Sequence, residues 1–323
     1  MNQHITNDRT SIIAVGGSTA SGKSALAIEL AERLDGEIVS CDSMAIYKGM
    51  DIGTAKPSAD EMARVTHHMI DVCPPSRSFS AADWVSGASE AIDDITKRGK
   101  TPIICGGTGM YLDALLRPEP FSKAEGAGEN AALREELRLF AEEKGNTALH
   151  KRLGEVDPDS AEAIHPNNVK RVIRALEIYL TTGVTKTEAD RQSREGESRY
   201  NCRIITLDYE SRDILYSRID RRVDKMLECG LADEVRSLYE SGALPPDSTA
   251  AQGIGYKELL LYVTGDIPLE IASELVKKNT RNYAKRQITW FKRYNDVTLV
   301  PDCGGVMKNA AEICNETLEK LKI

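Results

Sequence analysis

The sequence predicts an α/β protein, in which a mostly parallel sheet has helices on both faces and is interrupted by a helical insertion domain. Several short apolar runs are typical of buried strands, and they occupy residues 12–15, 37–41, 102–105, 203–207 and 297–300. Between the first two runs, Leu26, Leu30 and Leu34 recur at helical spacing. Strand, helix and strand within about 30 residues form a βαβ unit, which indicates a parallel sheet.

The first helix is predicted at residues 24–34. Asp35-Gly36 follows it, and we expect Gly36 to end the helix in the left-handed conformation that glycine adopts without strain.

The alternating pattern stops after Leu116, and no convincing strand follows until about Tyr200. Gly126 and Gly128 lie in a polar linker, and charged helices are predicted at residues 131–144 and 168–180. A terminal helix is expected within residues 304–323. These changes predict the following organisation: a core domain of residues 11–118 and 201–323, and a helical insertion domain of residues 119–200.

Composition excludes several classes of protein. Hydrophobic residues make up 41% and charged residues 28% of the 323 residues, which is ordinary for a soluble globular protein. Every apolar run is far shorter than the ~18 residues of a membrane helix, and the polar residues 1–10 carry no signal peptide. We expect a short disordered N-terminal lead-in and a cytoplasmic protein with no membrane partner.

The cysteines and histidines favour structural roles. The seven cysteines are scattered, odd in number and never spaced as C-x-x-C, which argues against a disulfide framework and a zinc module. His67 and His68 are adjacent, so on a strand they point to opposite faces, and hydrogen bonding is a better interpretation than metal binding.

The charge pattern suggests a local basic face. A net charge of −8 argues against a protein that coats nucleic acid, but residues 277–293 contain seven Lys or Arg and no Asp or Glu. Lys277, Arg281 and Lys285 share one side of a helix there, and we expect the run to contact phosphates. The aromatic residues of this run are Tyr283, Trp290 and Phe291. They could stack on bases or anchor the helix to the core, and both roles stay open.

Residues 17–24 form a phosphate-binding motif. Gly17-x-x-x-x-Gly22-Lys23-Ser24 has an apolar strand before it and an amphipathic helix after it, so the fold is P-loop NTPase-like. Backbone N–H groups and the helix N-terminus attract phosphate oxygens, Lys23 adds a charge, and the Ser24 hydroxyl is placed for Mg²⁺. The motif leaves open whether the phosphate is transferred, hydrolysed or held as a leaving group.

Two further segments end strands at the edge where a parallel sheet binds ligands. Asp42 ends the second strand, and three roles compete for it: Mg²⁺ ligand, general base, or cap of the turn that begins with Ser43. The loop after residues 102–105 contains Gly106, Gly107 and Gly109. Two interpretations stay open: a bulky group approaches the backbone there and Thr108 offers a hydroxyl, or the segment is a plain loop. A Walker B strand would end in Asp or Glu here. This strand has no such acidic residue, which weighs mildly against an ordinary ATPase.

Taken together, these motifs resemble the tRNA dimethylallyltransferase family, also called tRNA isopentenyltransferases or IPP transferases. The resemblance extends in order from about Ile12 to Tyr294. Its most specific strings are Asp51-Ile52-Gly53-Thr54-Ala55-Lys56-Pro57 and Ala284-Lys285-Arg286-Gln287-Ile288-Thr289-Trp290. The sequence lacks the zinc-finger extension of the eukaryotic branch, so it resembles the bacterial type.

The resemblance implies transfer of a dimethylallyl group from dimethylallyl diphosphate to N6 of adenosine 37, beside the tRNA anticodon. It implies that Asp42 is the general base and that Thr19 and Thr108 belong to the catalytic site. Diphosphate binding with Mg²⁺ on Ser24 is implied for Gly16, Gly17, Ser18, Thr19, Ala20, Ser21, Gly22, Lys23, Ser24, Arg218 and Arg222.

The anticodon stem-loop is the expected macromolecular partner of a monomer. Contacts to it are expected at Asp42, Ser43, Met44, Ala45, Thr108, Arg134, Lys170, Arg171, Arg174, Lys285 and Arg286. Two other functions compete with this one: a P-loop kinase of a small metabolite, in which Asp42 binds Mg²⁺ or activates a hydroxyl, and an RNA-binding protein with a nucleotide switch.

Overall fold

A six-stranded parallel sheet lies at the centre of the computed structural model, which describes residues 9–118, 130–294, 296–303 and 306–322. Its strands are β1 (Thr10–Gly17), β2 (Gly36–Ser40), β3 (His67–His68), β4 (Thr101–Gly106), β5 (Tyr200–Leu207) and β6 (Val297–Leu299). They lie in the order β3-β2-β4-β1-β5-β6, and every neighbouring pair is parallel. The predicted α/β fold is confirmed.

Helices occupy most of the remaining described chain. They are α1 (Lys23–Arg33), α2 (Ala59–Arg64), α3 (Ala81–Lys97), α4 (Gly109–Leu116), α5 (Ala131–Lys144), α6 (Asn146–Val156), α7 (Pro158–Ala163), α8 (Val169–Thr182), α9 (Lys186–Gln192), α10 (Arg212–Glu228), α11 (Leu231–Glu240), α12 (Tyr256–Val263), α13 (Leu269–Phe291) and α14 (Ala310–Leu321). A short 3₁₀ helix occupies Ala250–Gln252. No helix in the described ranges is both long and apolar enough to cross a bilayer.

The strand order explains where the site lies. Strand β4 sits between β2 and β1, so the segments that follow these three strands emerge side by side at one edge of the sheet. The phosphate-binding motif follows β1, Asp42 follows β2, and the second glycine loop follows β4. Parallel pairing therefore brings together three motifs that are separated in sequence.

The core beneath this edge is aliphatic. Helix α1 buries Leu26 and Leu30 against strand residues such as Ile103 and Ile205. Ile313 of α14 belongs to the same cluster. Since burying one such side chain contributes roughly 1.5–3 kcal/mol, this cluster firmly anchors the helix that begins at Lys23.

The turn after α1 differs from its prediction. Helix α1 ends at Arg33, and Asp35, rather than Gly36, takes the left-handed conformation with φ +43°. Gly36 already belongs to β2, where a Cβ atom would lie 2.7 Å from the carbonyl oxygen of Thr101 on β4. The glycine is therefore required by close strand pairing and not by the turn.

The chain divides into two compact units: a core unit (Met1–Leu115 with Tyr200–Ile323) and an insertion unit (Leu116–Arg199). The described part of the insertion unit contains five helices, α5 to α9, joined by short loops, and no strand. Leu137, Leu149 and Leu176 pack in its separate hydrophobic core. Helix α5 has the predicted bounds, and α8 begins one residue later than predicted and extends to Thr182.

The C-terminal prediction is partly wrong. Residues 302–307 contain two short strands, β7 (Asp302–Cys303) and β8 (Val306–Met307), which pair antiparallel. Helix α14 begins only at Ala310, where Asn309 caps it by accepting a hydrogen bond from the Glu312 N–H, and it packs on α1. The N-terminal lead-in was predicted for residues 1–10, but Thr10 already begins β1. Residues 1–8 of that lead-in and the linker around Gly126 and Gly128 lie outside the described residues.

Candidate active site

The phosphate-binding motif forms a strand-to-helix turn with unusual backbone angles. Gly17 and Gly22 have φ of +141° and +95°, and Ala20 has φ +60°. Ser18 and Ser21 are each 1% exposed, and the Ser21 hydroxyl has no hydrogen-bond partner within the described structure. Three positions with positive φ directly before the N-terminus of α1 are typical of a loop that receives an oxygen-rich anion.

Gly16 has a different reason to be glycine. A Cβ atom at Gly16 would lie 2.3 Å from a ring carbon of Phe291 on α13. Gly16 is therefore glycine because Phe291 packs on it, and its predicted contact with diphosphate stays a prediction. The same packing shows that Phe291, 4% exposed, anchors α13 to the core instead of stacking on a base.

Two cations face the crevice without a carboxylate partner. Lys23 Nζ donates a hydrogen bond to the Ser18 carbonyl at 3.2 Å, and neither Lys23 nor Arg222 forms an ion pair among the described residues. Burial lowers the pKa of Lys23, and the neighbouring charge of Arg222 lowers it further, while the charge of Asp42 opposes the change. Burial also lowers the pKa of Arg222. A bound diphosphate would stabilise the charged forms of both side chains and so raise their pKa values again.

Arg218 plays a supporting part instead. Its Nε donates to the carbonyl of Ala20 at 2.9 Å, and its guanidinium lies over the ring of Tyr209 at 5.8 Å. Arg218 is not among the residues that line the crevice. It holds the phosphate-binding loop in shape, so the predicted direct contact with diphosphate is not what this geometry favours.

Asp42 caps the turn that follows β2. Its Oδ1 accepts hydrogen bonds from the N–H groups of Met44 at 2.8 Å and Ala45 at 3.4 Å, as the capping interpretation predicts. Asp42 also lines the crevice, together with Lys23 and Arg222, and its Oδ2 has no hydrogen bond to a described residue. Capping by one oxygen orients the carboxylate and leaves the other oxygen for a substrate.

Thr108 joins the second glycine loop to the turn after β2. Its N–H donates to the Cys41 carbonyl at 3.1 Å, and its Oγ1 accepts from the Ser43 N–H at 3.0 Å. The neighbouring glycines accommodate protein and not a ligand: a Cβ on Gly106 would lie 2.0 Å from the Cys41 carbonyl oxygen, and one on Gly109 would lie 2.1 Å from Trp290. The bulky groups that approach these glycines are therefore parts of the protein, the Cys41 carbonyl and the Trp290 side chain, and not a ligand.

Gln287 is a site residue that the sequence analysis missed. Its Oε1 accepts from the Thr19 N–H at 2.8 Å, and its Nε2 donates to the Gly107 carbonyl at 3.0 Å. It is 4% exposed, so one buried amide joins the two glycine loops. Tyr283 lies one turn earlier on α13 and lines the crevice, and burial raises its pKa to about 12. Gln287 lies within the acid-free run of residues 277–293, and this position among cations is the signal in the sequence that could have indicated it.

The crevice enclosed by these elements has a volume of about 400 Å³ and lies entirely within the core unit. That volume falls in the ordinary range for a small-molecule site. Met44 and Ala45 line its wall, and Ala45 is 5% exposed. Of the two histidines, His67 bonds the Val65 carbonyl at 2.8 Å, and His68 bonds Glu37 at 2.8 Å, as the structural interpretation predicts.

The basic run on α13 is only partly available to a phosphate. Lys277 pairs with Asp224 at 2.7 Å, and Arg281 pairs with Asp220 at 2.5 Å, so both serve the packing of α13 on α10. The prediction that these two cations contact phosphates disregarded the acids of α10. Lys285 and Arg286 are exposed, make no ion pair with described residues, and lie over the rings of Tyr216 and Tyr283.

In the insertion unit the predicted cations divide similarly. Glu177 is 1% exposed and accepts hydrogen bonds from Arg134 Nε at 2.9 Å and Arg174 Nη1 at 2.7 Å. These arginines bind a buried carboxylate, and this structural role leaves them less available for the expected contact with tRNA. Lys170 and Arg171 are exposed at the start of α8 and form no ion pair in the described part of the chain.

The fold and the site define a P-loop protein whose phosphate loop, turn-capped carboxylate and two cations without an ion pair to the described residues face one crevice. A family model described as IPP transferase matches residues 45–294, and the chain belongs to this family. It is similar to tRNA dimethylallyltransferase 1 of Pelobacter propionicus, with 51% identity over 87% of this chain and 89% of the relative. It is also similar to the tRNA dimethylallyltransferase of Halalkalibacterium halodurans, with 48% identity over 89% and 90%.

Solved structures agree with this assignment. The full-length tRNA isopentenylpyrophosphate transferase of Bacillus halodurans is 42% identical, and each chain covers 97% of the other with a TM-score of 0.67. A eukaryotic dimethylallyltransferase described as acting on tRNA is 33% identical over 87% of this chain and 70% of its own, with a TM-score of 0.75. The predicted family and the predicted enzyme class, a tRNA dimethylallyltransferase, are confirmed.

Proposed function

We propose that this protein transfers a dimethylallyl group from dimethylallyl diphosphate to N6 of adenosine 37 in tRNA. The observation that carries the proposal is that two cations face the same crevice as a carboxylate with one oxygen left free by the described residues. Lys23 and Arg222 lack carboxylate partners among the described residues, and Asp42 keeps one oxygen without a hydrogen bond to them. The cations suit an anionic leaving group, and the carboxylate suits a nucleophile that must lose a proton.

The phosphate loop stabilises the departing diphosphate. As the allylic C–O bond breaks, negative charge grows on the diphosphate oxygens, where the loop N–H groups, Lys23 and Arg222 can compensate it. Because these donors are already in place, little reorganisation is needed when the bond breaks.

The residues present fit a Mg²⁺ ion. Mg²⁺ in phosphate sites is usually held by one or two protein oxygens together with phosphate oxygens and water. Ser24 is exposed in the crevice at the start of α1, so its hydroxyl would supply such an oxygen. When bound, the ion would neutralise charge on the diphosphate.

Asp42 acts on the acceptor. An exocyclic adenine amine is a weak nucleophile because its lone pair is delocalised into the ring. Asp42 accepts a hydrogen bond from the N6 proton and takes that proton as the C–N bond forms, while the diphosphate leaves with the electrons of the C–O bond. The hydrogen bonds from Met44 and Ala45 to Oδ1 hold the carboxylate in place for this step.

The tRNA must present an extruded base. N6 lies on the Watson–Crick edge of adenine, so the nucleotide has to leave its stack to enter the crevice, which costs less in an anticodon loop than in a duplex. Lys285 and Arg286 are exposed near the crevice and would contact the RNA backbone. Lys170 and Arg171 would make the corresponding contacts from the insertion unit, which we assign to tRNA binding.

Mass spectrometry of tRNA nucleosides tests the proposal. After incubation of unmodified tRNA with the protein, Mg²⁺ and dimethylallyl diphosphate, we expect N6-(dimethylallyl)adenosine and one released diphosphate per modified base. Release of phosphate from a nucleoside triphosphate onto a small metabolite, with no modified adenosine, would instead identify a kinase.

A further inference from the structure

The loop of residues 50–57 forms part of the crevice wall without belonging to any helix or strand. The residues that line the crevice are Gly53, Thr54, Ala55, Lys56 and Pro57. The loop closes on itself through bonds from Thr54 Oγ1 to the Met50 carbonyl at 2.6 Å and from the Lys56 N–H to the Asp51 carbonyl at 3.1 Å. Since no strand pairing holds this loop, side chains from elsewhere must set its position.

Glu234 on α11 supplies the main contact. Its Oε2 accepts hydrogen bonds from the N–H groups of Asp51 at 2.9 Å and Ile52 at 2.7 Å, and its Oε1 accepts from Gly53 at 3.2 Å. Three successive backbone donors therefore converge on one carboxylate. Hydrogen bonds to an ionised acceptor are stronger than neutral ones, so this contact is a firm attachment for the loop.

Tyr256 completes the attachment. Its hydroxyl donates to Glu234 Oε1 at 2.6 Å, and the residue is fully buried. A Cβ atom at Gly53 would lie 2.6 Å from the ring of Tyr256, so the glycine allows the loop to lie directly on the aromatic face. Burial and the charge of Glu234 raise the pKa of Tyr256, which keeps its hydroxyl a donor.

Lys56 fastens the other end of the loop. Its side chain is 5% exposed, and Nζ donates to the Tyr47 carbonyl at 2.7 Å, to Asp51 at 2.6 Å and to Asp71 at 2.5 Å. With both ends held, the residues between them can keep one conformation while they face the crevice.

We propose that Glu234 is a positioning residue that sets the acceptor side of the crevice through the loop of residues 50–57. The inference rests on the proposed function. Glu234 does not line the crevice itself, and no described contact joins it or Tyr256 to the phosphate loop, Lys23 or Arg222. The diphosphate end is formed by those residues, so the wall that Glu234 holds is left for the nucleobase.

The test is Glu234→Gln in the full-length protein, with Glu240→Gln as the matched control. The amide keeps the size of the side chain but offers one acceptor oxygen and a donor group to three N–H donors. Glu240 lies on the same helix, is exposed, and has no described partner. Hydrogen exchange of the peptide that contains Asp51, Ile52 and Gly53 reports the loop directly, without reference to activity.

For Glu234→Gln we expect amide exchange in this loop to accelerate about tenfold or more and the KM for tRNA to rise about tenfold, while the KM for dimethylallyl diphosphate and inorganic diphosphate binding stay within about twofold. Glu240→Gln should match the parent. Tyr256→Phe, which removes one of the four bonds, should give a smaller change in the same direction.

Two results would overturn the inference: parental protection of the loop amides in Glu234→Gln, or a lower active fraction with both KM values unchanged, which is the mark of a structural role. If the parent itself transfers nothing, the proposed function is wrong, and the exchange data alone then decide whether Glu234 holds the loop.

Discussion

Two glycine loops lie at the same edge of the sheet and use their missing side chains in opposite ways. In the phosphate loop, Gly22 has φ +95° and no atom within 4 Å of the place where a Cβ would stand. In the second loop, Gly106, Gly107 and Gly109 have protein atoms 2.0–2.1 Å from that place. The first loop needs glycine for its backbone turn, and the second needs it for close packing.

The difference teaches that a glycine-rich segment after a strand does not by itself indicate a ligand. The phosphate loop ends in Lys23 and Ser24, whose polar ends have few partners in the described structure. The second loop is filled by Gln287 and Trp290 from α13. A ligand-binding glycine loop is recognised by polar groups without partners, and a packing loop by a large side chain seated on it.

The strongest way to break this comparison is Lys23→Ala. If the phosphate loop serves the diphosphate, loss of its cation should lower prenyl transfer by at least about 10³-fold. The fold should persist, because Lys23 makes only one hydrogen bond to the described residues, to Ser18. Transfer rates and far-ultraviolet circular dichroism measure the two effects, and turnover within a few-fold of the parent would refute the assignment of the loop.

Asp42→Asn tests whether the carboxylate beside the phosphate loop acts on the acceptor. General-base catalysis typically contributes about 10²–10⁴-fold, and we expect a loss of that order in single-turnover rate. The asparagine oxygen can still accept from Met44 and Ala45, so donor affinity by calorimetry should stay near the parental value. A collapse of donor affinity in the presence of Mg²⁺ would show that Asp42 is a metal-site residue instead.

Helix α13 packs Gln287 and Trp290 on the second glycine loop and also carries two exposed cations, Lys285 and Arg286. These cations allow the expected contact with tRNA to be tested. Reversal of Lys285 and Arg286 to Glu should weaken tRNA binding by about 10–100-fold and reduce the slope of log K against log salt by roughly one unit for each lost phosphate contact. Binding titrations at several salt concentrations measure both quantities.

Lys277→Gln provides the control for the salt experiment. Lys277 is paired with Asp224, so this variant should lose some stability and keep the parental slope. An unchanged slope in the double Glu variant would mean that the tRNA lies elsewhere, against the surface near Arg171.

The smallest expected effect on chemistry comes from Gly109→Ala. The added methyl group overlaps Trp290, so the free energy of unfolding should fall by about 1–3 kcal/mol while donor affinity stays within about twofold of the parent. Gly22→Ala meets no neighbour but strains φ, and it should weaken diphosphate binding about tenfold. Denaturant titration and calorimetry on both variants separate the roles, and equal losses of donor affinity would end the distinction between the loops.

The sequence by itself determined the features that depend on local pattern. Apolar runs predicted five of the six strands of the parallel sheet, all but the two-residue β3, and apolar spacing predicted α1. The order of residues 17–24 predicted the phosphate loop, because a turn and the helix after it are specified by neighbours along the chain. The parallel sheet followed from the same pattern. It also placed Asp42 at the same edge as the phosphate loop, because the carboxyl ends of parallel strands share one edge of the sheet.

Only the tertiary structure decided which side chains are available. Arg281 is occupied because Asp220 faces it from α10, and Thr19 is fixed because Gln287, 268 residues away, accepts its N–H. Glu234 likewise meets the loop of residues 50–57 only after folding. Charge and glycine content are visible in a sequence, but whether a cation is paired or a glycine is covered depends on contacts between distant segments, which no local pattern encodes.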